Sequence, residues 1–277
     1  MSDGRMTLGI VGCGNMGAAL AIFIPRHLPL CDVIVHDVDR ARQEGLARNS
    51  GVRGASSLQE LIKDAGVVLL AVKPQDIDPV LAQLRGRTDR LLISIAAGVT
   101  LAYLEGSLAG APVIRAMPNL NAMIGRSATA LCAGAAVSEE QRQAAKRIFQ
   151  AVGVVVFVAE GLMNAVTAVA GSGPAFVATM KDVLPPEELN QILIKTAGEL
   201  GMERGVAERL ARATVSGTLE MLAVNFDAPT LIRRVASKGG TTEAGLAVLE
   251  REGKTPQALA EAVFAACRRA DELSRKN

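Results

Sequence analysis

The chain has 277 residues, enough for one large or two ordinary domains with a proper buried core. Apolar residues make up 49% and charged residues 21%, and 30 Lys and Arg against 28 Asp and Glu leave a net charge of +2, so the balance points to neither nucleic acid nor an anionic membrane. Six Phe, one Tyr, no Trp and two His argue against aromatic platforms for bases and leave little histidine for acid–base work.

The first half alternates short β-branched runs with helical patterns. Expected strands are 7–11, 32–36, 67–72, 91–95, 112–116, 129–132 and 154–157. Helical stretches such as 16–24, 40–48, 58–63, 77–84 and 139–151 lie between them. This alternation predicts a doubly wound, mostly parallel sheet. The apolar run 67–72 suits a sheet covered on both faces. It and the run 152–159 are too short to span a bilayer. After about residue 160 the pattern is helical throughout: 162–169, 174–183, 187–200, 206–222, 228–235, 242–252 and 256–273. The fold expected is an α/β Rossmann-type domain over 1–160 followed by an all-helical domain over 161–277.

The cysteines, Cys13, Cys31, Cys132 and Cys267, lie far apart with no C-x-x-C and no zinc spacing. They read as buried thiols of a cytoplasmic protein, with no metal site. Only residues 1–6 precede the first strand, and no signal peptide fits them.

Gly12-Cys13-Gly14-Asn15-Met16-Gly17 follows the first strand and opens a helix. In G-x-G-x-x-G the first glycine permits the turn, the second lets backbone approach a pyrophosphate, and the third lets helix and strand close up. The helix N-terminus then offers N–H groups to phosphate. Asp37, 20 residues after Gly17, ends the second strand, where an acid hydrogen-bonds the ribose 2′-hydroxyl of NAD. Arg40 and Arg42 could instead take the 2′-phosphate of NADP, and the bland reading makes Asp37 a helix cap. NAD and NADP both stay open. Two further glycine–hydroxyl segments open helices: Gly171-Ser172-Gly173-Pro174 and Ser237-Lys238-Gly239-Gly240-Thr241-Thr242. Together they suggest an anion pocket, and each alone would pass as a turn.

With Ala71-Val72-Lys73-Pro74-Gln75, the stretch from Ile93 to Thr100, and Ile114-Arg115-Ala116-Met117-Pro118-Asn119, these segments resemble the pyrroline-5-carboxylate reductase family along nearly the whole chain. The resemblance implies a helical dimerisation domain, a homodimer or higher homo-oligomer, and hydride transfer from NAD(P)H to the C=N carbon of a cyclic imino acid, giving proline. It implies that Ala71, Val72, Lys73 and Pro74 lie along the cofactor, that Ala97 sits near the nicotinamide, and that Asn119 shapes the floor. Ser172, Ser237 and the backbone of Gly239, Gly240 and Thr241 would hold the substrate, and Thr242 would hydrogen-bond the ring nitrogen. A protonated imine arrives already electrophilic, which suits a chain poor in histidine.

The chain departs from the family pattern at Phe176 (commonly Tyr), at Leu120-Asn121 (commonly Thr-Pro) and at Lys238 (commonly Pro). It also carries Arg233 and Arg234, and Pro185-Pro186 inside what is usually one long helix. The three cations either make the substrate site more cationic or face solvent. Other readings are a β-hydroxyacid dehydrogenase or imine reductase relative, and a non-catalytic nucleotide-binding paralogue. The dehydrogenases place a lysine four residues after a glycine motif, where this chain has Val177 after Gly173.

Overall fold

The computed structural model describes residues 5–86, 89–224 and 226–275. Strands β1 (Met6–Val11), β2 (Cys31–His36), β3 (Arg53–Gly54), β4 (Val67–Leu70), β5 (Leu91–Ser94) and β6 (Val113–Met117) alternate with helices α1 (Asn15–His27), α2 (Arg40–Ser50), α3 (Leu58–Asp64), α4 (Ile77–Leu84) and α5 (Leu101–Ser107). Strands β7 (Ser127–Ala133) and β8 (Gly153–Phe157) flank α6 (Glu139–Gln150). The sheet order is β3-β2-β1-β4-β5-β6-β7-β8, and the registers of β1 with β2 and β4, of β2 with β3, and of β5 with β4 and β6 are all parallel. The first six strands therefore run in the 3-2-1-4-5-6 order of a dinucleotide-binding sheet. All four residues of β4 are buried, as a strand covered on both faces requires.

Local chemistry sets the helix starts. Asp39, Ser57, Thr100 and Ser138 each accept an N–H of the following first turn, and Ser138 with Gln141 forms a reciprocal capping box. The strands expected at 67–72 and 91–95 end earlier, at Leu70 and Ser94, where the chain turns into loops at the carboxyl edge. The two-residue β3 carried too little pattern to be seen in the sequence.

Contacts divide the chain into two units, and the division differs from a single cut near residue 160. One unit holds the chain through Ala116 together with Leu131–Val152, and the other holds Met117–Ala130 together with the chain from Gly153 onward. Among the described residues no strand follows Phe157. Helices α7 (Met163–Val166), α8 (Gly173–Met180), α9 (Pro186–Glu199), α10 (Arg204–Val224), α11 (Ala228–Val235), α12 (Thr241–Glu252) and α13 (Pro256–Ser274) make up the rest. Glu160–Met180 is a single helical stretch long and apolar enough to cross a membrane by length and composition. Its window is 78% buried inside the protein, so it is a core helix here.

Pro185 and Pro186 do break the helical run: α8 ends at Met180, and α9 starts with Pro186 in its first turn and Glu187 and Glu188 behind it. The apolar stripe Leu189, Ile192, Leu193, Thr196 and Leu200, at helical spacing along α9 and its C-cap, is largely covered by the chain itself. Leu189, Leu193 and Thr196 are buried, and Ile192 and Leu200 are half-buried. That stripe therefore carries no argument for a dimer.

Candidate active site

The glycine loop is built by close approach. Gly12 has φ +100, and a Cβ there would stand 2.7 Å from the carbonyl oxygen of Ala71. A Cβ on Gly17 would overlap the carbonyl oxygen of Gly12. At Gly14, by contrast, nothing lies within 4 Å of an added Cβ, and no side chain caps α1. A turn packed tightly behind and open in front fits a pyrophosphate against the first amides of α1. Asn15 is exposed and Met16 half-exposed on that open side. Ala71 and Val72 are half-buried beside Gly12, and Lys73 is exposed ahead of Pro74, which starts a short 3-10 turn. Ala97 is exposed in the loop after β5. These loops all leave the carboxyl ends of β1, β4 and β5, where ligands bind in open α/β sheets.

Asp37 is 8% exposed and its carboxylate is already engaged: Oδ2 accepts the Cys13 N–H at 2.6 Å, and Oδ1 accepts the Asp39 N–H at 2.8 Å. The helix cap is Asp39, which removes the bland reading of Asp37. Gln43, which the sequence reading missed, is buried behind it. Its Oε1 accepts the Asp37 N–H, and its Nε2 donates to the carbonyl of Ala55, both at 2.9 Å. Arg40 is exposed and donates to the carbonyl of Ser56 at 3.2 Å. Cys13 contributes backbone only. Burial, with the Asp37 charge second and Arg42 opposing, pushes its thiol up to about 12, so it is no nucleophile.

In the helical unit three hydroxyls converge. Thr242 Oγ1 donates to Ser172 Oγ at 3.0 Å, and Ser172 Oγ lies 3.0 Å from Thr241 Oγ1. Ser172 and Thr242 are buried, at 1% and 4% exposure. Ser172 follows a π-turn over Thr167–Gly171, its N–H reaching the carbonyl of Thr167, an irregularity that re-aims a residue and recurs at functional sites. Thr241 opens α12, whose cap position Gly240 offers no side chain. The Gly239 N–H is taken by Glu243 Oε2 at 2.6 Å and the Gly240 N–H by the carbonyl of Ser237 at 2.9 Å. The amides that α12 itself leaves without helical acceptors begin at Thr241 and Thr242, so those two, rather than Gly239 and Gly240, are the ones open to an anion. Gly239, at φ +69, shapes the turn, with Arg269 Nε donating to its carbonyl at 2.8 Å. Ser237 is exposed beside Gly240.

Asn119 is buried and internally bonded. It donates to the carbonyl of Ala170 at 3.1 Å and to Thr214 Oγ1 at 3.5 Å, and it accepts the Ala128 N–H at 3.2 Å. Its role here is to fix the segment Met117–Ala130 to the helices of its unit. Asn121, one of the two residues standing where the family commonly has Thr-Pro, does the same through the Thr214 carbonyl and Thr218 Oγ1. Phe176 is fully buried with its ring edge against Gly245. Arg233, Arg234 and Lys238 are exposed. Arg233 bonds back to Thr230, and Arg234 stacks over the Phe226 ring at 4.9 Å, so neither arginine joins the hydroxyl cluster.

The sheet order and glycine loop define a dinucleotide-binding α/β protein with a helical second part. The family model described as pyrroline-5-carboxylate reductase dimerisation matches residues 160–273, and that described as NADP oxidoreductase coenzyme F420-dependent matches residues 7–98. A pyrroline-5-carboxylate reductase of Synechocystis sp. is 42% identical over 274 residues, covering 97% of this chain and 98% of the relative. Among solved structures, a pyrroline-5-carboxylate reductase from Coxiella burnetii has a TM-score of 0.67 at 30% identity, covering 98% of this chain and 99% of that one. The Plasmodium falciparum pyrroline carboxylate reductase with NADP bound has a TM-score of 0.65 at 25% identity, covering 97% and 98%. The chain belongs to the pyrroline-5-carboxylate reductase family.

Proposed function

We propose that this chain reduces 1-pyrroline-5-carboxylate to L-proline with NADH or NADPH, acting as a homodimer or higher homo-oligomer in a reducing cytoplasm. The observation that carries the reading is the hydroxyl triad Ser172–Thr241–Thr242 at the uncapped N-terminus of α12. The substrate is a carboxylate joined to a protonated cyclic imine. The amides of Thr241 and Thr242 and the dipole of α12 suit the carboxylate. Because Thr242 donates to Ser172, its own lone pairs are left to accept the imine N–H.

When bound, the reduced nicotinamide supplies the hydride to the C=N carbon. The rest is orientation by this chain. Gly12, Gly14, Asn15, Met16 and Gly17 hold the pyrophosphate, Asp37 and Arg40 lie at the adenosine end, and Ala71, Val72, Lys73, Pro74 and Ala97 flank the remainder. Asn119 shapes the floor by holding the segment Met117–Ala130 in place. Ser237, Gly239 and Gly240 shape the substrate turn. Nucleotide binding is assigned to residues 1–160, and substrate binding and dimerisation to 161–277, in keeping with the family match to residues 160–273. The imine brings its own proton, so no histidine is required.

A spectrophotometric panel tests this reading. Oxidation of NADH or NADPH by pyrroline-5-carboxylate, weak with six-membered piperideine carboxylates, is expected, with no reduction of NAD or NADP by 3-hydroxy acids. Preference for a hydroxy acid would move the chain to the dehydrogenase class, and no turnover with any of these would make it a non-catalytic paralogue.

A further inference from the structure

We infer that the end of β2 selects NADH over NADPH, an inference that rests on the nucleotide-binding reading above. The site fits a dinucleotide by the open Gly14 and the tightly packed Gly12 and Gly17. What it presents to the adenosine ribose is a fixed acid. The Asp37 carboxylate is held by two amides, from Cys13 and Asp39, and its own N–H is held by the buried Gln43, which is in turn anchored on Ala55. A carboxylate has about four lone-pair sites, so both oxygens keep capacity for ribose hydroxyls after accepting one amide each. Fixed at both ends, Asp37 has no ready way to swing aside for a 2′-phosphate.

The two arginines left open by the sequence are both committed. Arg42 Nη1 stands 3.7 Å from Asp37 Oδ2, and its Nη2 stands 3.3 Å from Asp39 Oδ2. It is the counter-ion of the two acids, and the trio keeps a net charge of −1. Arg40 is turned to the carbonyl of Ser56. The residue between the acids, Val38, is 95% exposed and offers an apolar side chain that brings no charge and no side-chain donor. A 2′-phosphate carrying nearly two negative charges would meet two carboxylates, with Arg42 already shared between them and Arg40 turned to the Ser56 carbonyl. Ribose hydroxyls meet acceptors instead. Asp39 also caps α2, which keeps it in place.

Equilibrium titration of the intact protein with NADH and with NADPH, followed by nicotinamide fluorescence without substrate, is the test. Like-charge juxtaposition costs enough that NADH should bind at least about tenfold tighter. Displacement of NADH by 5′-AMP should likewise outrun displacement by adenosine 2′,5′-bisphosphate. Val38→Arg combined with Asp39→Ser keeps a helix cap while exchanging an acid for a base, and should narrow or reverse the ratio, with circular dichroism confirming the fold. Equal or tighter binding of NADPH by the unaltered protein overturns the selectivity and leaves the reductase reading standing. Failure of both nucleotides to bind overturns the reductase reading itself.

Discussion

Thr242 Oγ1 lies 3.0 Å from Ser172 Oγ, joining the first turn of α12 to the residue that follows the π-turn, 70 positions earlier in the chain. The bond orients the one hydroxyl assigned to the substrate nitrogen. Thr242→Ala should lower kcat by roughly a hundredfold, the low end for loss of a positioned polar group, while NADH affinity stays unchanged. Thr242→Ser should restore most of the loss. Steady-state kinetics beside nucleotide titration separates the two effects. Equal activity in both variants would remove Thr242 from the site.

Three buried thiols make stability depend on alkaline pH. Burial is the largest cause at each, pushing Cys13 up to about 12 and Cys31 and Cys267 to about 11, from an ordinary 9.0. A group whose folded value is raised stabilises fully below the unfolded value and loses that contribution as pH rises through the folded one. Urea midpoints should therefore be flat from pH 7 to near 9 and fall between about 9 and 12. Cys13→Ala should bind nucleotide normally, because only the backbone N–H of residue 13 is used.

Glu187 behaves in the opposite sense. Two bonds from Arg212, at 3.0 and 3.2 Å, and one from Gln191 hold its carboxyl down to about 2 from an ordinary 4.5. Its small contribution is complete above about 4.5 and disappears as pH falls towards 2, and its exposure keeps it small. Carboxyl NMR titration should show Glu187 ionised at pH 3, and Arg212→Ala should move it back towards the ordinary value.

Asn119→Ala should destabilise the protein by about 2–3 kcal/mol, since it strands the buried Ala128 N–H and the Ala170 carbonyl. Chemical denaturation measures this. A change below about 0.5 kcal/mol would mean that the cluster is satisfied another way.

How much of this was legible in the sequence follows from the range of each signal. The glycine loop, its strand and its helix are local, so Gly12, Gly14 and Gly17 could be assigned from spacing alone. The end of β2 was half legible. Asp37 was visible, but whether Arg42 faced a phosphate or Asp37 and Asp39 depended on side-chain direction, and Gln43 acts through a bond to Ala55 twelve residues on. An Asp one residue before a helical run was the available cue that Asp39, and not Asp37, would cap. In the helical part, Ser172 and Thr242 stood out by composition. Their contact, and the ties of Asn119 and Asn121 to Thr214 and Thr218, span 70 to 97 positions and have no local signature. Glu243 was hidden differently: a charged residue in a first turn reads as a dipole partner, and only the structure shows it occupying the Gly239 amide.

If hydroxyls and helix amides suffice to orient an imine for reduction, racemic 1-pyrroline-5-carboxylate with excess NADH, its product quantified by chiral amino-acid analysis, should show it. L-proline is expected in one-to-one ratio with nucleotide oxidised, with strongly reduced formation in Thr242→Ala. Nucleotide binding with no proline formed, or undiminished formation in that variant, would contradict it.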